Sequence, residues 1–144
     1  MGFFKIKIDK NDSLFSKIVR HGKHRCQKCF RPNQLQCCHI FDRGRYSTRF
    51  TERNAIALCL TCHEWFDSTR AKDILFNEQL QKIYQPDNRW WWLVNRSGLG
   101  YSWDELRKLY WLSESPFQGY KYKKDAIYEA LKKKAKEKGV ELWK

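Results

Sequence analysis

The chain has 144 residues, a formal net charge of +13, and contents of 42% hydrophobic and 16% aromatic residues. This length fits one domain, or a compact core with appended helices, and the hydrophobic fraction is sufficient for a packed core. No apolar run of about 18 residues occurs, which excludes a helix that spans a bilayer.

The positive charge is larger than solubility requires, and it favours a polyanionic partner. Nucleic acid is the expected partner, with an anionic membrane surface as the weaker alternative. The first residues lack the apolar stretch and the cleavage site of a signal peptide. We therefore expect a cytoplasmic protein. In that reducing compartment its six cysteines are expected to be metal ligands rather than disulfides.

Two elements are predicted before the first cysteine pair. Phe3–Ile8 alternates apolar and basic residues, which predicts a short strand. Asp12 or Ser13 is expected to cap a helix that follows. The apolar residues of this helix are Leu14, Phe15, Ile18 and Val19.

The middle of the chain predicts a hairpin followed by a helix. Leu35–Phe41 is expected to form the first strand, and Asn54–Leu58 the returning strand. The loop between them, Arg43–Arg49, is basic. Thr61–Glu64 has the pattern of a capping box, so a helix is predicted to begin at Thr61.

The C-terminal half predicts several further helices, because apolar residues recur at helical spacing and Gly and Pro mark the turns. One or two helices are expected to reach about Tyr84, where Pro86–Asn88 breaks the pattern. The later helices are predicted at Trp90–Val94, Trp103–Leu112 and Ala126–Lys138. Most of the tryptophans in this half are expected to pack in the core rather than stack on bases.

Two CxxC pairs bracket the predicted hairpin: Cys26–Cys29 and Cys59–Cys62. Two residues between paired cysteines allow both sulfurs to reach one zinc ion at about 2.3 Å, and a long insert between pairs is common in structural sites. The four thiolates therefore predict a structural Zn²⁺ that pins both ends of the insert. Cys37 has no partner at ligand spacing and is expected to be a small buried side chain.

At Leu35–Ile40, Asn54 and Cys59–His63 the sequence resembles the HNH (ββα-metal, His-Me finger) endonucleases. It is most similar to the phage branch with paired CxxC knuckles, such as NinG-type recombination proteins and the resolvase endonuclease VII. The resemblance covers roughly Ser13–Trp65. It implies an α+β fold with a zinc-stabilised ββα-metal core and additional N- and C-terminal α-helices. We expect a nuclease domain over residues 1–85, and a helical, aromatic and basic extension over 86–144 packed on it.

The resemblance assigns three catalytic residues. His39 would be the general base, Asn54 the residue that holds its imidazole, and His63 a ligand of one catalytic divalent cation (Mg²⁺, Mn²⁺, Ni²⁺ or Zn²⁺). A neutral imidazole titrates near about pH 6.5, so it can take a proton from water at physiological pH. The cation would stabilise the charge that develops on the phosphate.

The sequence departs from the family at the position before the base. Members often have aspartate or histidine there, whereas this chain has Cys38. A thiolate is a poor ligand for magnesium but suits zinc, and in a regular strand Cys38 points away from His39. Asp67 lies four residues after His63, on the same helix face. The expected ligands are therefore His63 and Asp67, with Cys38 as a further ligand and Asp42 in reserve.

Basic residues are concentrated around the hairpin, where Lys17–Arg53 contains ten basic and two acidic residues. Contacts from such residues to phosphate bind without reading sequence, and they weaken steeply with salt. The residues expected to contact nucleic acid are Arg43, Arg45, Arg49, Arg53, Lys23 and Arg25.

These features predict a metal-dependent endonuclease or nickase that hydrolyses phosphodiester bonds in double-stranded or branched DNA. The alternative is a non-catalytic zinc-knuckle nucleic-acid-binding protein of a phage recombination or packaging machine. A third interpretation is that the aromatic C-terminal half docks a larger protein machine. With one site per chain, cutting both strands would require a homodimer, and a phage-encoded protein would act in the host-cell cytoplasm.

Overall fold

The computed structural model describes residues 9–69 and 71–142. Within these residues it has an α+β fold, with a two-stranded antiparallel sheet and six α-helices. The strand predicted at Phe3–Ile8 lies outside them. None of the described helices combines the length and the apolar character needed to cross a bilayer.

The hairpin and its helix occur in the predicted order. Strand β1 (Leu35–His39) pairs with β2 (Ala55–Cys59), and helix α2 (Leu60–Ser68) begins directly after β2. The capping box predicted for α2 is wrong. Cys59 takes the N-cap position and no side chain caps the helix, because the last residue of β2 leads straight into the first helical turn.

Helix α1 (Lys10–Arg20) begins earlier than predicted. Asp9 is its N-cap, and the Asp12 backbone N–H donates to Asp9 Oδ1 at 3.0 Å while the Asp9 N–H donates to Asp12 Oδ2 at 3.0 Å. Asp12 therefore occupies the third helical position of a capping box, and neither it nor Ser13 is the cap. The predicted apolar face is buried as expected: Leu14, Phe15, Ile18 and Val19.

The C-terminal half is helical, as predicted, with some shifted boundaries. Its helices are α3 (Glu78–Gln81), α4 (Arg89–Asn95), α5 (Trp103–Glu114) and α6 (Tyr120–Lys138), and a 3₁₀ turn spans Asp73–Phe76. Three consecutive tryptophans of α4 are buried, which agrees with a packing role: Trp90, Trp91 and Trp92. Trp111 departs from that expectation, because 55% of it is exposed.

Two hydrophobic clusters join the C-terminal helices to the rest of the chain. The larger one combines apolar residues of β1, β2 and α2 with the tryptophans of α4 and with Leu106 and Leu109 of α5. The smaller one packs the apolar face of α1 against Leu131 and Ala135 of α6. Residues from both sides of position 85 therefore share the same core.

A buried ion pair ties α1 to the loop between the strands. Arg49 is 1% exposed and Asp12 is 8% exposed. Arg49 Nε donates to Asp12 Oδ1 at 2.8 Å, and Nη2 donates to Oδ2 at 2.5 Å. The expectation that Arg49 contacts nucleic acid is therefore wrong, because this two-pronged pairing keeps its guanidinium out of solvent.

Removing one partner of this pair leaves the other charge buried and uncompensated. We expect Arg49→Ala to lower the free energy of unfolding by about 3–5 kcal/mol, measured by urea denaturation. The control is Arg45→Ala, which removes an exposed ion pair with Glu114 and should cost about 0–1 kcal/mol. Equal losses in the two variants would contradict the importance of the buried pair.

Candidate metal centres and active-site cleft

The four cysteines of the CxxC pairs come together as predicted. Their sulfur atoms all lie within 4.8 Å of one another, which is close enough to share a single ion. The Cys29 and Cys59 sulfurs, from different pairs, are 3.8 Å apart. This four-sulfur cluster is compatible with structural zinc, for which tetrahedral thiolate sites are typical.

Backbone N–H groups stabilise the thiolate form of Cys26 in this cluster. Burial opposes ionisation of Cys26, but the N–H groups of Cys29, Cys59 and Lys28 outweigh it and lower the pKa of Cys26 to about 6. The Lys28 N–H lies 3.4 Å from the Cys26 sulfur. Burial and the neighbouring thiols raise the pKa of Cys62 above its ordinary value. One thiolate therefore forms readily, while full ionisation needs the charge of a cation.

A second group of donor atoms forms from Cys38, His63 and Asp67, which also lie within 4.8 Å of one another. His63 Nδ1 lies 2.7 Å from the amide oxygen of Gln36, so Nδ1–H donates to it. The other ring nitrogen, Nε2, then carries the lone pair and lies 3.3 Å from Asp67 Oδ2. A hydrogen bond of this kind orients a histidine that binds a metal.

The donor types of this second group favour a soft cation. Burial raises the pKa of the Cys38 thiol, and Asp67 and Cys37 raise it further, whereas Arg89 lowers it. One sulfur, one nitrogen and one carboxylate oxygen suit zinc better than magnesium, which prefers oxygen ligands. Asp42 is outside this donor group, although it lines the adjoining cleft.

The imidazole of His39 is held by a backbone carbonyl. His39 Nε2 lies 2.9 Å from the carbonyl oxygen of Arg49, so Nε2–H donates and Nδ1 remains an acceptor. Burial lowers the pKa of His39, which keeps the ring neutral near pH 7. The ring of Phe15 packs beside it, with centroids 5.6 Å apart. This histidine therefore has the protonation state of a general base.

Asn54 does not hold the imidazole directly, contrary to the expectation. Its Oδ1 accepts from the Phe41 N–H at 2.8 Å, and its Nδ2 donates to the carbonyls of Phe41 and Thr48 at 3.0 and 3.2 Å. These bonds close the loop that follows β1. Asn54 therefore supports the loop that carries Arg49, and the Arg49 carbonyl holds the ring.

A cleft of about 570 Å³ brings the catalytic candidates together. His39 from β1 and His63 from α2 both line it. Arg89 also lines the cleft. The sequence does not reveal this role, because Arg89 belongs to no motif and precedes a run of tryptophans that pack in the core. The charged and titratable side chains of the lining are Cys37, His39, Asp42, Arg43, Arg45, His63, Asp67 and Arg89.

Three of the basic residues that were expected to contact nucleic acid lie outside this cleft. Arg53 pairs with Glu105 through two bonds of 2.8 and 2.6 Å, and its guanidinium lies 3.9 Å from the ring of Tyr101. With Lys23 it lines a separate cleft of about 310 Å³. Arg25 is exposed and donates to the Phe30 carbonyl at 3.0 Å. Arg53 therefore links the loop to α5, a role that spacing alone does not reveal.

A basic groove adjoins the first cleft. This second groove, of about 490 Å³, is lined by Lys17 and Arg20 of α1, and it shares Cys37, His39 and Arg43 with the first cleft. His39 therefore lies where the two depressions meet. Lys17 and Arg20 were not singled out from the sequence, since only their place on the exposed side of α1 brings them to His39.

Comparisons with known proteins identify no relative: no family model, no curated protein and no solved structure matches this chain. They therefore lend no support to the resemblance to HNH endonucleases. A functional assignment rests on the arrangement of the side chains.

The four-sulfur cluster predicts that each of its cysteines is needed for zinc retention. We expect Cys59→Ser to lose about one zinc ion per chain and to unfold on mild heating, since a structural zinc site supplies folding energy directly. Metal content measured by mass spectrometry, together with thermal unfolding, checks this. Cys37→Ser is the matched control, because Cys37 lies outside the cluster. Full zinc retention in Cys59→Ser would contradict the assignment.

Proposed function

We propose that this chain is a metal-dependent DNA endonuclease or nickase that hydrolyses phosphodiester bonds with His39 as general base. One observation carries the proposal: His39 lines the same cleft as His63 and Asp67, two of the three clustered metal donors. A base and a cation site at a single cleft are the two components that phosphodiester hydrolysis requires.

His39 supplies the proton acceptor in this proposal. Its Nε2–H is engaged by the Arg49 carbonyl, so Nδ1 takes the proton of the attacking water. A bond forms from the water oxygen to phosphorus, and the bond from phosphorus to the leaving oxygen breaks. The resemblance implies that the products carry a 5′-phosphate and a 3′-hydroxyl. The lowered pKa of His39 keeps Nδ1 available as an acceptor near pH 7.

Cys38, His63 and Asp67 would hold the catalytic cation in this proposal. When bound, a divalent cation stabilises negative charge on the phosphate as a Lewis acid. The hydrogen bond to Gln36 directs Nε2 of His63 toward Asp67, where it could serve as a ligand. With a thiol among the donors, we propose zinc or a similarly soft ion ahead of magnesium.

The basic groove supplies a surface for the DNA backbone. Lys17 and Arg20 continue the line of positive charge beyond Arg43, and His39 lies at the junction. We propose that one strand runs from the groove into the cleft. This path keeps Arg43 and Arg45 from the set expected from the sequence and leaves out Arg49, Arg53, Lys23 and Arg25.

Loss of the base should abolish cleavage while leaving binding intact. We expect His39→Ala to reduce the rate of plasmid nicking by about 10²–10⁴-fold, assayed with Zn²⁺, Mn²⁺, Ni²⁺ and Mg²⁺, with DNA affinity measured in parallel. The control is His24→Ala, because His24 is exposed and lies outside both depressions. Wild-type protein that binds DNA but cuts with none of these ions would instead favour a non-catalytic nucleic-acid-binding protein.

The groove predicts a specific change in salt dependence. The double variant Lys17→Gln/Arg20→Gln should weaken DNA binding and reduce the slope of log affinity against log salt by about two, one for each phosphate contact. Lys133→Gln/Lys136→Gln on α6 removes the same charge from exposed positions and serves as the control. If the slope of log affinity against log salt were equal in the two double variants, DNA binding would depend on net charge alone, and the groove would not be the path of the DNA backbone.

A further inference from the structure

Arg89 is a buried cation at the wall of the active-site cleft. It is 5% exposed, and it lines the cleft beside His63 and Asp67. It is the first residue of α4, whose N-cap Asn88 accepts hydrogen bonds from the N–H groups of Trp90 and Trp91. The position of Arg89 is therefore set by the start of a well-anchored helix.

Neighbouring groups restrict the orientation of this guanidinium. Its Cζ lies 4.3 Å from the centroid of the Trp90 ring and 4.9 Å from that of Phe66. Nη1 donates to the Phe66 carbonyl at 3.3 Å. Rings on which a guanidinium packs leave its N–H groups directed along its own plane. The donors are thus held in a defined direction at the cleft.

Burying a charged guanidinium is costly, so its location beside the metal donors calls for a reason. The cleft carries three arginines, Arg43, Arg45 and Arg89, against two carboxylates, Asp42 and Asp67. With Asp67 bound to a divalent cation, which leaves a net charge of +1 on the pair, positive charge dominates the lining. Such a lining attracts an anion with several oxygen acceptors, and the forked donors of arginine match a phosphate in geometry.

We propose that Arg89 binds a non-bridging oxygen of the phosphate group held in the cleft. This inference rests on the proposed function and deepens it, because it makes α4, which lies outside the segment resembling HNH nucleases, part of the substrate site. Arg89 would add a phosphate contact from an element that carries none of the sequence motifs. A protein shortened to the hairpin and α2 would lack this contact.

The test measures the affinity of the zinc-loaded protein for inorganic phosphate by isothermal titration calorimetry. We expect Arg89→Gln to weaken phosphate binding by about tenfold or more, and Arg89→Lys to weaken it less, since a charge-assisted hydrogen bond is lost or loses its fork geometry. Arg96→Gln is the matched control: Arg96 follows the same helix and also packs over an aromatic ring, Trp91, but lies away from the cleft. It should bind phosphate like the wild type.

Zinc content and thermal unfolding separate phosphate binding from a merely structural role. The inference predicts that Arg89→Gln keeps both zinc ions. Loss of the ion at Cys38, His63 and Asp67 would show that Arg89 only positions a ligand, and it would overturn the inference. Should Arg89→Gln fail to fold, Arg89→Lys decides, because unchanged phosphate affinity in that variant would also overturn it. A wild type that does not bind phosphate does the same.

Plasmid nicking separates this inference from the proposed function. If the wild type binds phosphate through Arg89 but never cuts DNA, the endonuclease proposal fails while the phosphate site stands. If the wild type cuts DNA and Arg89→Gln cuts at the same maximal rate with the same phosphate affinity, the endonuclease stands and the role of Arg89 fails.

Discussion

The buried pair of Asp12 and Arg49 is the interaction on which the half of the molecule that carries the hairpin depends. Two charges removed from water are tolerated only when each satisfies the other, so the observed conformation of the loop requires α1 to be docked on it. The carbonyl of the same arginine receives the Nε2–H of His39. The tautomer of His39 is therefore tied to the docking of α1, and Asn54 reinforces the same loop from inside.

The two groups of metal donors are coupled through one short segment. Cys59 and Cys62 belong to the four-sulfur cluster, and His63 and Asp67 follow on α2 within the next two turns. A zinc ion in the cluster would fix the start of α2, and with it the direction of the two donors that point to the cleft. The two donor groups cannot vary independently, because a rotation of α2 would disturb both.

Local patterns in the sequence predicted the hairpin, most of the helices and the four-sulfur cluster, whereas Cys38 and His63 were named as metal ligands from the resemblance to HNH nucleases. The CxxC spacing identified the four-sulfur cluster, and the i, i+4 spacing of His63 and Asp67 placed both on one helix face. Tertiary partners were not predictable in the same way. The sequence predicts that Arg49 contacts phosphate, because it lies in a basic loop. Only its hydrogen bond to Asp12, 37 residues earlier, shows that it forms a buried ion pair. The predictions of the N-caps of α1 and α2 were wrong because several residues near the start of each helix have side chains that can cap it.

The C-terminal helices supply much of the core on which the hairpin packs. The tryptophans of α4 fill the core beneath β2 and α2, and the Arg53–Glu105 pair joins the loop to α5. A chain ending near residue 85 would expose these apolar surfaces, so residues 86–142 belong to the same folding unit as the hairpin. Helix α4 is needed to fill the core. Because Arg89 lies in its first turn, the same helix also adds a cationic side chain to the lining of the cleft. The extension predicted from the sequence thus contributes both to the core and, through Arg89, to the lining of the cleft.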